Sequence, residues 1–240
     1  MIKLEHVVLP SPEQMDFIIE GMRNPMNSWE KSDSYMNYSV DFENKEDKTI
    51  EVRYPYYRVG AADVNLMQRL ANAGTDHRKF MRMMPVYVRI TAPLYWYKEF
   101  DTYRVGVTPN PMDIEMNSCS TMHKIQEKEF TMEDFSCEHL NRIGTSTLWD
   151  IIDTLNIARN LYLEGGEYKG EYYEAKDKNV WWQMIQLLPS SYNQTRNVMM
   201  NYEVLANIYK SRKNHKLNEW CELCSWIKTL PYQELITGGN

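Results

Sequence analysis

Residues 92–124 have the sequence APLYWYKEFDTYRVGVTPNPMDIEMNSCSTMHK, which is the most informative stretch of the chain. Pro93 suits the first turn of a helix, so we predict a helix from about Leu94 to Tyr103. One face of this helix carries Trp96, Phe100 and Tyr103, and another carries Tyr97, Asp101 and Arg104. Core packing accounts for the first face, and the partial charge at a helix C-terminus accounts for Arg104.

An inserted loop and a polar cluster follow this helix. Residues 107–116, VTPNPMDIEM, contain two prolines and predict the loop. The polar cluster has the sequence NSCS and covers residues 117–120. Its chemistry is not decided by these residues alone.

The segments before residue 92 predict alternating strands and helices. Strands are expected at residues 2–8, 50–57 and 86–90. Helices are expected at residues 61–73 and from a cap at Ser11, or at the residues after it, to Met22. Gly74 lies where a helix C-cap glycine belongs. Residues 24–48 are rich in polar side chains, so we predict a loop with little regular structure there.

The second half of the chain is predicted to be mainly helical. Helices are expected over residues 135–163, 179–188, 196–211 and 217–230, with a mobile or hairpin connection at residues 165–176. The helix predicted at residues 196–211 carries a stripe of Val198, Tyr202, Leu205 and Tyr209, which Arg212 extends. Because a charge is rarely buried unless it is paired, Arg212 is an unusual member of that stripe.

The composition is that of a globular protein. The 240 residues are 43% hydrophobic and 25% charged, and the 17 tyrosines and 7 tryptophans suit half-buried sites and subunit interfaces. A formal charge of -6 argues against broad DNA or RNA binding. No apolar run approaches the roughly 20 residues that span a bilayer, and the N-terminus lacks a signal-peptide core. We expect a cytoplasmic protein without DNA, RNA or membrane partners.

Standard catalytic and metal-binding signatures are missing. Cys221 and Cys224 form a single C-x-x-C without the second pair or the histidines of a zinc site, so we predict reduced thiols that pack on a helix. Because the two thiols lie one helical turn apart, a redox or metal role is the alternative. No phosphate-binding glycine-rich loop, G-x-S-x-G or H-E-x-x-H is present. Polar residues at the ends of predicted elements remain as candidates: Arg104, Asn117, Ser120, Arg196 and Arg212. Such groups can bind a phosphate or a planar base, although each arginine also suits a surface ion pair.

Residues 92–123 resemble the signature region of the flavin-dependent thymidylate synthases, the ThyX family. Members carry a proline-led aromatic helix, then R-H-R, then x-x-S-x-N-E-x-S-x-R-Y. In this chain TYR at residues 102–104 lies where R-H-R is expected. NSCSTMH at residues 117–123 lies where N-E-x-S-x-R-Y is expected, so the loop at residues 107–116 is an insertion between the motifs.

Other segments resemble the family in the same order. The strand at residues 86–92 precedes the helix, and His77 lies near the family's H-x-T-P motif. Leu188-Pro189 with Thr195-Arg196 resembles L-P-x-x-x-x-T-R. Residues 201–212 resemble the helix that begins N-A-R-x-L and ends in Leu-Arg, and residues 215–220 resemble the next helix. The resemblance spans residues 77–220, and we expect a single ThyX-like domain over residues 1–240.

The resemblance implies a fold and an activity. The fold would be α+β, with a twisted, mainly antiparallel sheet flanked by helices, assembled as a homotetramer with active sites between subunits. FAD and dUMP would stack in those sites. Methylenetetrahydrofolate would supply the carbon for C5 of dUMP, with NADPH as the reductant.

The family's functional residues can be carried over by position. Arg104 and Tyr103 would face the flavin, Asn117 would lie in the flavin and substrate loop, and Arg212 would lie beside the flavin. Ser120, Arg196 and Glu99 would contact the nucleotide, with the phosphate as the group expected at Arg196. Ser120 and Arg104 would be the catalytic residues.

Several positions depart from the family pattern. Thr102 and Tyr103 replace the first arginine and the histidine of R-H-R, Ser118 replaces the motif glutamate, Met122 replaces an arginine, and Glu99 replaces a glutamine. Because each charge-assisted contact contributes a few kcal/mol, these changes affect ligand binding.

Three hypotheses follow from these departures. The first is a divergent flavin-dependent methyltransferase acting on dUMP, or on dCMP because Glu99 can accept a hydrogen bond from an amino group. The second is a non-catalytic nucleotide- or folate-binding protein on the same scaffold. The third is an interaction protein whose aromatic surface serves oligomerisation only.

Overall fold

The computed structural model describes residues 2–45, 48–103 and 115–238. The chain forms two compact units. Unit 1 comprises Met1–Glu5, Arg89–Thr102 and Met116–Asn197, and unit 2 comprises His6–Val88, Tyr103–Glu115 and Val198–Asn240. The single domain expected over residues 1–240 stays a prediction.

The fold is α+β, with antiparallel strand pairs and flanking helices, as the resemblance implied. The elements of the first half are β1 Lys3–Val8, α1 Pro12–Arg23, β2 Tyr35–Lys45, β3 Lys48–Arg58, α2 Ala61–Asn72, β4 Pro85–Pro93 and α3 Leu94–Phe100. Those of the second half are β5 Glu115–Ser118, α4 Arg142–Glu164, β6 Gly166–Tyr168, β7 Glu171–Tyr173, α5 Lys178–Leu187, β8 Asn193–Asn201, α6 Tyr202–Arg212, α7 Asn218–Ile227 and α8 Glu234–Thr237.

The strands form one sheet and two ribbons. The four-stranded sheet has the order β1-β4-β8-β5, while β2 pairs with β3 and β6 pairs with β7 as antiparallel ribbons. The β6–β7 ribbon confirms the hairpin alternative predicted for residues 165–176. Within the described ranges, no helix is both long enough and apolar enough to span a membrane.

Local sequence signals account for several element boundaries. Ser11 begins α1 through a capping box with Gln14. In β4, Val86, Val88 and Ile90 are buried in alternation with Tyr87 and Arg89, which confirms the predicted strand with one buried face. The helix predicted from Leu94 is confirmed as α3, and a 3-10 turn over Asp101–Tyr103 extends it.

The loop predicted for residues 24–48 is wrong, because residues 35–45 form β2. This strand pairs along its whole length with β3, from Tyr35 opposite Arg58 to Lys45 opposite Lys48. Tyr35, Tyr38 and Val40 are exposed. Strands are recognised in a sequence by alternating apolar and polar residues. This ribbon exposes both kinds of side chain and lacks that alternation, so the hydrogen bonds between β2 and β3 hold the strand in place.

The helix predicted over residues 196–211 begins at Tyr202, six residues after the predicted start, because residues 193–201 form β8. Val198 and Met200 are buried with a spacing of two, which fits a strand, but Val198 also continues the helical stripe of α6. Asn201 ends the strand and caps α6 by accepting a hydrogen bond from the Val204 amide at 3.0 Å. Arg196 therefore lies on a strand and not at a helix terminus.

The helix predicted from residue 135 is also shorter than expected, since α4 begins at Arg142. Asn141 caps it through the Gly144 amide at 3.0 Å. Phe135 instead forms an isolated bridge with Tyr192. The apolar spacing continues across residues 135–141 because Phe135 packs in the same core, not because it is helical.

Each unit has its own buried interior. In unit 1, α4 and α5 pack Leu148, Ile152, Leu155, Val180 and Met184 together with Phe130 and Phe135. In unit 2, the buried residues include Ile18, Met67, Met81, Leu205, Ile208 and Trp220. Glu203 is fully buried in unit 2 and is paired with both Arg78 and Arg82, which compensates its charge.

Candidate functional site

The predicted site residues lie in both units. Unit 1 contains Glu99, Asn117, Ser120 and Arg196, and unit 2 contains Tyr103 and Arg212. Arg104 lies outside the described residues, as do residues 107–114 of the predicted loop. Residues 115 and 116 of that loop belong to β5.

Arg196 is the centre of the cluster in unit 1. Its Nη1 donates to Oδ1 of Asp101 at 2.7 Å, and its Nε donates to Oε1 of Gln194 at 2.8 Å. The guanidinium carbon lies 3.7 Å from the centroid of the Tyr97 ring, and Nη1 lies 3.7 Å from the sulfur of Met116. The guanidinium is thus held by an ion pair, an amide and an aromatic face.

The groups that hold Arg196 are themselves fixed. Gln194 is buried and donates from Nε2 to the carbonyl of Cys119 at 2.8 Å, so its Oε1 must face Arg196. The Tyr97 hydroxyl donates to the Ile90 carbonyl at 2.8 Å, and burial raises the pKa of this phenol above its ordinary value. A neutral, immobile ring therefore lies beneath the guanidinium.

Arg196 keeps one donor group for a ligand. Its side chain is 12% exposed, whereas that of Asp101 is 42% exposed. Among the residues that the structure describes, none accepts a hydrogen bond from Nη2. The arrangement presents a preoriented N–H donor at a largely buried position, where hydrogen bonds are stronger than in open water.

The polar cluster lies beside the same strand. The Cys119 amide donates to the Thr195 carbonyl at 3.0 Å, which places residues 117–120 along β8 next to Arg196. The Ser120 hydroxyl oxygen accepts from the amides of Met122 at 3.2 Å and His123 at 2.9 Å. Both Ser120 and Asn117 are exposed. Because its oxygen accepts two hydrogen bonds, the Ser120 hydroxyl has its own hydrogen left to donate.

Glu99 lies on α3, between Tyr97 and Asp101 in the sequence. Its side chain is half-buried, and its backbone carbonyl accepts from the Thr102 hydroxyl at 2.6 Å. Tyr97, Asp101 and Gln194 were not predicted as site residues. The spacing of four residues places Tyr97 and Asp101 on one face of the predicted helix. It did not indicate their contact with Arg196, because Arg196 was predicted to lie on a helix.

Arg212 is the centre of the cluster in unit 2, at the C-terminal end of α6. Its Nε donates to the Tyr103 hydroxyl at 2.9 Å, and its guanidinium carbon lies 4.7 Å from the Trp220 ring centroid. The Tyr103 and Trp220 rings meet edge to face at 5.8 Å. The charge can extend an apolar stripe because two aromatic rings cover the guanidinium.

The chemistry of these side chains fits a flavin. Tyr103 and Arg212 are half-buried and offer an aromatic surface with hydrogen-bond donors, which suits a flat ring system with polar edges. In unit 2, Trp220 is fully buried, and its ring packs against the Arg212 guanidinium.

The C-x-x-C pair shows no metal-binding geometry. Cys221 is exposed and its thiol donates to the His215 carbonyl at 3.3 Å, whereas Cys224 is buried. Burial raises the pKa of Cys224 to about 11, so this thiol stays protonated at neutral pH. Over the described ranges, no three histidine, cysteine or acidic residues are grouped as metal ligands.

Comparison with solved structures identifies the fold as that of the flavin-dependent thymidylate synthases, which confirms the resemblance at the level of the fold. A thymidylate synthase X from Helicobacter pylori, crystallised with FAD and dUMP, has a TM-score of 0.59 at 15% identity, over 98% of this chain and 95% of that one. A second structure of the Helicobacter pylori enzyme with FAD and dUMP gives the same TM-score and identity.

A methylase has the same fold. The UMP/dUMP methylase PolB from Streptomyces cacaoi, bound to 5-Br dUMP, has a TM-score of 0.56 at 11% identity, over 99% of this chain and 95% of that one. No protein-family model matches the sequence, and no curated protein matches it. At these identities the solved structures establish the fold and not the activity, which depends on the residues of the site.

Proposed function

We propose that this chain is a divergent flavin-dependent thymidylate synthase-like enzyme, which methylates C5 of a pyrimidine deoxynucleotide, dUMP in the first instance. Methylenetetrahydrofolate is the proposed carbon donor, FAD the cofactor and NADPH the reductant. The observation that carries the proposal is the Arg196 cluster, where a preoriented donor lies beside the polar residues 117–120 on a fold whose solved examples include dUMP complexes.

Unit 1 supplies the proposed nucleotide contacts. Arg196 directs its Nη2 donor to the ligand, and the Ser120 hydroxyl donates its hydrogen to a ligand acceptor. Glu99 adds a carboxylate that can accept from a ring N–H or an amino group. These groups fix the orientation of the nucleotide, and correct orientation alone lowers the barrier of a bimolecular reaction by several kcal/mol.

The proposed cofactor contacts are Tyr103, Arg212, Asn117 and Arg104. When bound and reduced, FAD supplies the hydride that converts the transferred carbon to a methyl group. Arg212 donates to a polar edge of the ring system, and Tyr103 holds the Arg212 guanidinium in place. Arg104 and Ser120 are the proposed catalytic residues, because the resemblance aligns them with the last arginine of R-H-R and with the serine of N-E-x-S-x-R-Y.

The test is the visible absorption spectrum of the purified protein before and after addition of FAD with dUMP. We expect the bands of bound flavin, and dTMP formation when NADPH and methylenetetrahydrofolate are added. Colourless protein that takes up no FAD under either condition contradicts the proposal. Repeating the assay with dCMP tests the alternative substrate that Glu99 suggests.

A second candidate function is nucleotide binding without catalysis. Its supporting observation is that Tyr103, which replaces the histidine of the family triplet, has its hydroxyl engaged by Arg212. Its hydroxyl oxygen accepts from Arg212 Nε, so Tyr103 does not offer the ring nitrogens by which a histidine binds or transfers a proton. Tight dUMP binding with no flavin uptake and no turnover would support this candidate, and any dTMP formation would exclude it.

We further propose a homotetramer, as the resemblance implies. The β2–β3 ribbon exposes Tyr35, Tyr38, Tyr54 and Tyr56, and exposed tyrosines are enriched at protein interfaces. Replacing Tyr38 and Tyr54 with serine should lower the sedimentation coefficient if the ribbon contributes to the assembly. An unchanged coefficient would place the interface elsewhere.

A further inference from the structure

The charge of Arg196 is balanced within unit 1 itself. The Asp101 carboxylate lies 2.7 Å from Nη1, and the neutral amide of Gln194 occupies Nε. A guanidinium paired in this way retains N–H donors but has little net charge to attract an anion. This is a different situation from an arginine that is held only by neutral groups.

A phosphate matches this position poorly. A phosphate monoester carries a charge of about -1.5 to -2 at neutral pH. Bound to Nη2, it would lie beside the Asp101 carboxylate and be repelled by it. Displacing Asp101 would break the ion pair, so the gain from a new phosphate contact would be offset by the loss of the existing one. The phosphate contact expected at Arg196 from the sequence is therefore not the one that the charges favour.

A neutral, planar acceptor matches the same position well. The Tyr97 ring lies 3.7 Å from the guanidinium carbon and fixes the guanidinium plane, while Gln194 and Asp101 fix its rotation. The Nη2 donors therefore point in defined in-plane directions. A pyrimidine carbonyl accepts such a hydrogen bond without bringing a second negative charge to Asp101.

We propose that Asp101 is a specificity-determining residue, which makes Arg196 bind a neutral pyrimidine carbonyl of the ligand and not its phosphate. The proposal rests on the nucleotide-binding function proposed above. It assigns the phosphate to other donors, among which is the exposed Ser120 hydroxyl, whose hydrogen is left to donate.

The experiment compares three probes, deoxyuridine, dUMP and inorganic phosphate, by calorimetric titration. Relative to the wild type, the R196Q variant should have lower affinities for deoxyuridine and for dUMP, by the same factor. In D101N the charge of the guanidinium is no longer balanced, so it should bind anions. The affinity for phosphate and the ratio of dUMP affinity to deoxyuridine affinity should both rise by at least about tenfold, which corresponds to the lower range for a charge-assisted contact. The double variant D101N/R196Q should lose this gain.

The matched control is D150N, which removes a charge from an exposed aspartate on α4 and should leave all three affinities unchanged. Unchanged or weaker phosphate binding by D101N would overturn the role of Asp101. A loss in R196Q confined to dUMP would overturn the carbonyl assignment. If the wild type binds neither deoxyuridine nor dUMP, the proposed function and the carbonyl assignment fail together, whereas the phosphate titration still decides whether Asp101 excludes anions.

Discussion

Gln194 determines how Arg196 is presented, although it has no charge and is buried. Its Oε1 accepts from Arg196 Nε at 2.8 Å, and its Nε2 donates to the Cys119 carbonyl at 2.8 Å. One side chain therefore connects the arginine to the segment that carries Ser120. We regard it as a positioning residue, because both polar atoms of its amide are engaged by the protein and the side chain is buried.

Gln194→Met should weaken nucleotide binding by about tenfold and lower the free energy of unfolding by about 1–3 kcal/mol, since two buried hydrogen bonds are lost. Titration with dUMP and urea denaturation provide the two measurements. Thr195→Val is the matched control on the same strand, because it removes only the 2.8 Å contact between the hydroxyls of Thr195 and Thr91. Equal effects of both substitutions on dUMP affinity would contradict the positioning role.

Tyr103 supports Arg212 through its hydroxyl. Tyr103→Phe keeps the edge-to-face contact with Trp220 but removes the acceptor of Arg212 Nε. We expect a loss of about 1 kcal/mol of stability and weaker FAD binding, measured by urea denaturation and by flavin fluorescence. Tyr38→Phe, on the exposed face of the β2–β3 ribbon, should change neither quantity. An unaltered affinity for FAD in Tyr103→Phe would remove Tyr103 from the cofactor contacts.

At the scale of elements, β8 and α6 meet at Asn201, which separates a strand from a helix. Asn201→Ala removes the cap at the Val204 amide and should destabilise the protein by about 1 kcal/mol. Asn214→Ala, at an exposed position after α6, is the control and should be neutral. The measurement is the urea midpoint of the wild type and the two variants. An unchanged midpoint in Asn201→Ala would show that packing, and not the cap, determines where β8 ends and α6 begins.

The sequence predicted the elements whose signals are local. The helix cap at Ser11, the alternation in β4 and the proline before α3 each depend on neighbouring residues, and all three predictions are confirmed. The β2 and β8 strands depend on partners that are distant in the sequence. Periodicity did not find β8 because Val198 also continues the helical stripe of α6, and it did not find β2 because that strand leaves both apolar and polar side chains exposed.

The same distinction applies to the candidate site. Arg196 could be selected from the T-R motif, but its partners could not. Asp101 lies 95 positions earlier in the sequence, and its contact with Arg196 exists only because Arg196 lies on a strand. The charge balance that changes the expected ligand group at Arg196 is therefore a property of the tertiary structure and not of the motif.

At the scale of the whole molecule, buried tyrosines link stability to alkaline pH. Burial raises the pKa of Tyr192 from 10.0 to about 12, and the pKa values of Tyr57, Tyr97 and Tyr202 are raised in the same direction, mainly by burial. Above pH 10 the unfolded chain loses these protons while the folded protein keeps them. The unfolded state then binds fewer protons, so the free energy of unfolding falls as the pH rises.

Tyr192→Phe should reduce this decline between pH 10 and pH 12, the interval set by the raised pKa of Tyr192. The phenyl ring preserves the edge-to-face contacts with Phe130 and Phe135, so stability near neutral pH should change little. Urea midpoints measured across the alkaline range for both proteins provide the test. Tyr172→Phe, at a position that is 77% exposed, is the control, and its curve should run parallel to that of the wild type. If the Tyr192→Phe curve is also parallel, Tyr192 ionises equally in the folded and unfolded states, and its burial does not contribute to the pH dependence.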